Sequence, residues 1–181
     1  MNKTARVALL WGLAALPSLA MADIILHGKL QSYVSAFVRP SHKLLVTDDK
    51  GGWFDQGLAM TQLGGWNTPY DVRARLRVVS SSGVFRVRLD EPLSIRNNDT
   101  AAQVFQQPKV DLAAEGSAPK TLSVGQGTAF ENPPGPAPDQ DTTGYYNLTV
   151  SAYPPEGNFK ETAGTYSGVL SLTFEPVITD P

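Results

Sequence analysis

Residues 23–38 run Asp-Ile-Ile-Leu-His-Gly-Lys-Leu-Gln-Ser-Tyr-Val-Ser-Ala-Phe-Val, and no other stretch constrains the fold so tightly. Their even positions are Ile24, Leu26, Gly28, Leu30, Ser32, Val34, Ala36 and Val38, apolar or small, whereas His27, Lys29, Gln31, Tyr33 and Ser35 occupy the other face. A period of two over about fifteen residues predicts a strand roughly 50 Å long, against a usual five or six residues. Such a strand demands a sheet, and the sheet can belong to its own chain or to a neighbouring copy.

What precedes this strand reads as an export signal. Lys3 and Arg6 lead into the apolar run 7–16, followed by Pro17 and then Ala20-Met21-Ala22, which matches a basic region, a hydrophobic region and an A-x-A cleavage site. The apolar run falls short of the ~20 residues of a comfortable membrane span, which makes an uncleaved anchor the weaker alternative. The expected organisation is therefore a signal peptide over 1–22, an N-terminal extension over 23–38 running into the first strand, and one domain over 39–181.

Removing 22 of the 181 residues leaves enough chain for one domain with a real core. There is no cysteine, so the fold must rest on pairing and packing although export would permit disulfides. Fifteen basic and 17 acidic residues are dispersed without a basic block, which argues against a nucleic-acid partner. Sixteen glycines and 14 prolines suit many turns between short strands.

The rest of the chain reads as all-β. Residues 43–46 predict a short strand closed by the turn cluster 47–52, and Leu58, Met60 and Gln62 alternate with Ala59, Thr61 and Leu63. In 70–79, Tyr70, Val72, Ala74, Leu76 and Val78 face one way and Arg73, Arg75 and Arg77 the other. Ser80-Ser-Ser-Gly83 then leads into 84–89, and the pair is expected to form a hairpin. That pairing would align Arg73, Arg75, Arg77, Arg86 and Arg88 as a basic stripe, read here as a solvated face that discourages edge-to-edge aggregation. Further strands are expected at 109–112, 120–124 and 145–153, and the loop 131–141 holds four prolines in eleven residues.

Chemistry-bearing motifs are sparse. His27 and His42 are the only histidines, and no G-x-S-x-G, H-E-x-x-H or phosphate-cradling glycine loop occurs, so neither catalysis nor a cofactor is expected. The acidic pairs Asp48-Asp49 and Asp139/Asp141 read as solvated turns, because a calcium site needs more oxygen ligands at ordered spacing, and no metal site is expected.

The end of the chain carries the most specific pattern. Tyr146-Asn-Leu-Thr-Val-Ser-Ala-Tyr-Pro154 is followed by Glu161-Thr-Ala-Gly-Thr-Tyr-Ser-Gly-Val-Leu-Ser-Leu-Thr-Phe174. Gly164 and Gly168 bracket Tyr166 and let the backbone approach where a Cβ would obstruct it. Val169, Ser171 and Thr173 alternate with Leu170, Leu172 and Phe174, a strand with two largely apolar faces that is expected to be buried.

This block resembles the closing hairpin of chaperone-usher fimbrial subunits, most closely the cysteine-free colonisation-factor pilins. Residues 34–45 resemble that family's first strand and 70–93 its middle hairpin, so about half of the mature chain takes part. The resemblance implies a single incomplete immunoglobulin-like β-sandwich, completed by a donated strand. It implies a structural subunit of a surface fimbria that serves cell adhesion. Its partners would be other fimbrial subunits, a periplasmic chaperone and an outer-membrane usher, with a host receptor left open. The donor strand would place Ile24, Leu26, Gly28, Leu30, Ser32 and Val34 in the groove of a neighbour. Gly164, Tyr166, Gly168, Val169, Leu170, Leu172 and Phe174 would form the terminal strand beside the acceptor groove. Shaft, adaptor and tip positions all stay open, since the chain continues past Phe174 and its extension looks longer than in major subunits. The alternative from another class is a single-domain adhesin or minor tip subunit that binds a host glycan or protein through aromatics such as Trp53, Trp66, Tyr145 and Tyr146.

Overall fold

The structure, a computed structural model, describes residues 43–137 and 140–178. The expected signal peptide and the donor-strand residues Ile24, Leu26, Gly28, Leu30, Ser32 and Val34 lie outside the described residues.

Among the described residues, ten strands and one short helix follow in order: β1 (Leu44–Asp48), β2 (Tyr70–Ser80), β3 (Val84–Leu89), β4 (Arg96–Asn97), β5 (Gln106–Ala114), β6 (Lys120–Thr121), β7 (Thr128–Glu131), β8 (Thr142–Tyr153), α1 (Phe159–Thr162), β9 (Tyr166–Ser167) and β10 (Leu172–Pro176). They form a five-stranded sheet in the order β1-β2-β8-β5-β6, a three-stranded sheet β10-β3-β7, and the small pair β4-β9. Every strand pair is antiparallel. This is an all-β sandwich, as the period-two patterning requires.

The core lies between the two main sheets and follows the alternation. Ala74, Leu76 and Val78 of β2, Leu148, Val150 and Ala152 of β8, and Val110 and Leu112 of β5 meet Phe85, Val87 and Leu89 of β3 and Phe130 of β7. At its centre Phe85 stands edge-on to Tyr146 at 5.2 Å between ring centroids and stacks on Phe130 at 5.8 Å and Phe174 at 6.3 Å. Fully burying a side chain of this size contributes about 1.5–3 kcal/mol, with a further ~0.5–1.5 kcal/mol per well-placed aromatic pair.

The expected hairpin between 70–79 and 84–89 does not form. β2 is flanked on both sides by β1 and β8, and β3 by β10 and β7, so Ser80–Gly83 carries the chain from one sheet to the other. Ser80 is fully buried, its Oγ accepts a hydrogen bond from the Gly83 amide at 3.2 Å, and Gly83 takes a φ of 76° that a side chain would disfavour. Asn132 secures the same corner: its amide donates to the Gly83 carbonyl at 2.8 Å and its Nδ2 to the Val78 carbonyl at 3.1 Å. The five arginines consequently do not make one stripe. Arg75 pairs with Glu115 at 2.7 Å and lies over the Tyr145 ring at 4.2 Å on the large sheet, whereas Arg88 pairs with Glu175 at 2.6 Å on the small one.

Residues 58–63 alternate in exposure as their sequence does, Leu58 and Met60 packing on the core, but only Thr61 bridges to a strand, at Asp71. α1 was not expected. Asn158 and Glu161 form a capping box, with Asn158 Oδ1 accepting from the Lys160 and Glu161 amides at 3.0 and 3.1 Å.

Candidate functional site

One flank of the sandwich is built from two strand edges. Among the described residues β1 pairs only with β2 and β10 only with β3, and the Cα atoms of β1 and β10 approach within 8 Å across the sheets. In an antiparallel ladder alternate residues direct their N–H and C=O groups to opposite sides, so a single bond fixes the phase. The Asp90 amide donates to the Ser171 carbonyl at 3.1 Å and the Val177 amide to the Val84 carbonyl at 3.0 Å. Positions 171, 173, 175 and 177 therefore spend their backbone groups on β3, which directs those of Leu172 and Phe174 to the flank. On β1 the Ser81 amide bonds the Lys43 carbonyl at 2.9 Å, and the same alternation directs the backbone of Leu44 and Val46 outward.

These four residues also line the interior. Leu44, Val46, Leu172 and Phe174 are half-buried and pack against the core, as does Leu170. The flank thus combines backbone donors and acceptors in two rows with apolar side chains only partly covered, the combination that an added strand satisfies with a main-chain ladder and alternating side chains.

β10 is fastened in place from its outer face. Asp90 accepts hydrogen bonds from Ser171 Oγ at 2.6 Å and Thr173 Oγ1 at 2.5 Å, and Arg88 Nε stands 3.7 Å from the same carboxylate. Desolvation pushes the Asp90 carboxyl up, but the two hydroxyl donors and the Arg88 charge outweigh it and hold the group below the usual carboxylate range.

The residues expected to form one terminal strand divide between two sheets. Tyr166 lies in β9, with Gly164 two residues before it, and β9 pairs with β4 through Arg96↔Ser167 and Asn97↔Tyr166, while Leu172 and Phe174 lie in β10. The glycines are needed for close approach: a Cβ at Gly164 would stand 2.5 Å from Asn97 Nδ2, and one at Gly168 2.6 Å from the Ser94 carbonyl oxygen. Tyr166 donates from its hydroxyl to the Thr162 carbonyl at 2.8 Å, and Gln103 Oε1 lies 3.1 Å from the same hydroxyl. The expected burial of the whole segment is corrected as well, since Val169 is 64% exposed and Leu170, Leu172 and Phe174 are only half-covered. A continuous strand fails because Gly168–Ser171 must cross from the small pair to the β3 ladder. Of the expected set, then, Leu170, Leu172 and Phe174 come together at the core edge, and Gly164, Tyr166 and Gly168 build a neighbouring polar junction. The reading of 43–46 as a strand gave no sign that Leu44 and Val46 complete the flank, and nothing local marked Asp90.

Of the aromatics considered for ligand binding, Tyr146 is wholly buried. Its hydroxyl lies 2.8 Å from the Glu131 carbonyl and 2.9 Å from Asn132 Oδ1, and burial first, then the Glu131 charge, pushes its pKa up to about 12. Among the described residues no group of three or more His, Cys, Asp or Glu side chains is placed to hold a metal ion, and no helix is long and apolar enough to cross a membrane.

The architecture defines an antiparallel β-sandwich in which, among the described residues, the β1 and β10 edges of the two sheets carry no further strand. No protein-family model matches the chain, and no curated protein does. Among solved structures, the CooA pilin subunit from enterotoxigenic Escherichia coli shares the fold, with a TM-score of 0.52 and 17% sequence identity over 75% of this chain and 86% of that one.

Proposed function

We propose that this protein is a structural subunit of a surface fimbria, joined to its neighbours by donor-strand exchange and delivered through the periplasm by a chaperone and an outer-membrane usher. The observation that carries the reading is the flank, where the outward backbone of Leu44, Val46, Leu172 and Phe174 accompanies half-covered apolar side chains. The alternating segment 23–38 has the form of its occupant, and the fold shared with a pilin supports the same conclusion. Ile24, Leu26 and Leu30 inserted between the sheets would each contribute about 1.5–3 kcal/mol, and Gly28 would stand where a bulkier side chain would clash. The joint would be non-covalent and slow to open.

The test removes residues 23–32 and follows thermal unfolding and light-scattering mass with and without a synthetic 23–38 peptide. Instability of the truncated domain with one-to-one rescue by the peptide is the expected result. A truncated domain that is equally stable and ignores the peptide would leave a stand-alone β-sandwich in place of a polymerising subunit.

A further inference from the structure

We propose that Trp66, Tyr153 and the bulge at Gln107 form a binding site for a neutral oligosaccharide. The site lies at the end of β5 and β8, shares no residue with the β1–β10 flank, and stands whether or not the subunits polymerise.

The first observation is a pair of large aromatics with no core role. Trp66 is 59% exposed and Tyr153 44% exposed, and both line one concavity of about 550 Å³. The concavity is shallow and open to solvent, and it sets aromatic faces beside a few polar groups. Exposed rings offer an apolar face to the C–H face of a sugar, and the Tyr153 hydroxyl is also available to hydrogen-bond.

The second observation is that the wall bearing Trp66 is built rather than loose. Gln62 Nε2 donates to the carbonyls of Trp66 at 3.0 Å and Thr68 at 2.7 Å, and the Thr68 amide and hydroxyl close on the Gly65 carbonyl at 2.9 and 2.7 Å. The Gly64 backbone sits so near Thr68 that a Cβ there would stand 2.6 Å from its Oγ1. A fixed turn thus holds an indole in solvent.

The third is strain in another segment of the lining. The β5–β8 register runs from Gln106↔Tyr153 to Lys109↔Ser151, with one extra residue on β5. Within that bulge Gln107 has a φ of 48°, the one positive value at a non-glycine among the described residues, and it precedes Pro108. The residue before proline ordinarily occupies the β region, so the conformation is costly, and bulges of this kind re-aim side chains at functional sites.

The lining chemistry selects the ligand class. Asn67, Gln106 and Gln107 supply amide donors and acceptors for hydroxyl groups, and Glu156 is the single charged lining residue. With a carboxylate and no cation, the site disfavours phosphate, sulfate or a sialylated sugar and suits an uncharged polyol. Pro154 and Pro155 fix the backbone beside it, which limits the ordering cost of binding.

The experiment probes the full chain on a printed array of neutral oligosaccharides ending in galactose, glucose, mannose and N-acetylhexosamines, with their sialylated counterparts alongside, and measures the best neutral binder by calorimetry. Trp66→Ala should weaken that binder at least tenfold and the exposed Glu156→Ala severalfold, with circular dichroism and thermal midpoint unchanged. Phe159→Ala, which alters an exposed aromatic outside the concavity, should bind as the parent does. The proposal is overturned if no neutral oligosaccharide binds, if the sialylated forms bind more tightly, or if both the Trp66 and Glu156 variants retain full affinity.

Discussion

Asp90 shows how a single side chain can set the position of an edge strand. Because its folded-state carboxyl lies below its unfolded value, its ionised form stabilises the fold above the unfolded pKa, and that contribution is lost as pH falls through the folded value. Urea midpoints measured from pH 7 down to pH 2.5 should therefore decline more steeply for the parent than for Asp90→Asn. Equal slopes would show that the carboxylate does not fasten β10. Tyr146 has the opposite linkage. With a folded pKa near 12 against about 10 when unfolded, its neutral phenol contributes stability that is complete below pH 10 and lost as pH rises through 12. Alkaline absorbance titration should show one of the six tyrosines ionising last, and Tyr146→Phe should abolish that step while costing about 1–3 kcal/mol through the acceptors left unpaired. Gly168→Ala should cost about 1–3 kcal/mol in chemical denaturation, because its new methyl meets backbone at Ser94 rather than a yielding side chain. The sequence singled out Gly164 and Gly168 as places of close approach. Their contacts, Asn97 and Ser94, come from more than 60 residues away and left no local trace.

At the scale of elements, the long strands were legible and strand partners were not; the expected strand at 120–124 forms only over Lys120–Thr121, and β7 was not expected. Apolar patterning placed 43–46, 70–79, 84–89, 109–112 and 145–153 in strands because an inward face must be apolar wherever a sheet covers a core. The same pattern is produced whether Ser80–Gly83 turns within one sheet or passes between two. Side-chain facing fixes a face but says nothing about which neighbour accepts the hydrogen bonds. The terminal segment failed likewise, since 166–167 and 172–176 look continuous in sequence but belong to different sheets. The phase of β10 makes a sharp prediction for hydrogen exchange. In the domain lacking residues 23–32, the Leu172 and Phe174 amides should exchange quickly and become protected when the 23–38 peptide is added, whereas Thr173 and Glu175 should be protected throughout. Protection that appears elsewhere, or at neither residue, would move the docking edge. In the full chain, Gly28→Trp should leave export intact and remove fibres from electron micrographs, because an indole would block insertion.

For the whole molecule, the sequence by itself determined an all-β chain with no disulfide, a set of inward-facing apolar positions, and an N-terminal segment suited to a sheet. These are properties of local period and composition, and they survive without knowledge of any long-range contact. Only the tertiary structure decided that β2 and β3 lie in different sheets, that Asp90 clamps β10, that Tyr146 is core, and that Trp66 shares a concavity with a strained bulge. It also decided that Leu44 and Val46 share a flank with Leu172 and Phe174, although more than 120 positions separate them in the chain. The physical reason is that a residue's pattern records whether it meets water or core, whereas the identity of its partner depends on how the sheets close over that core.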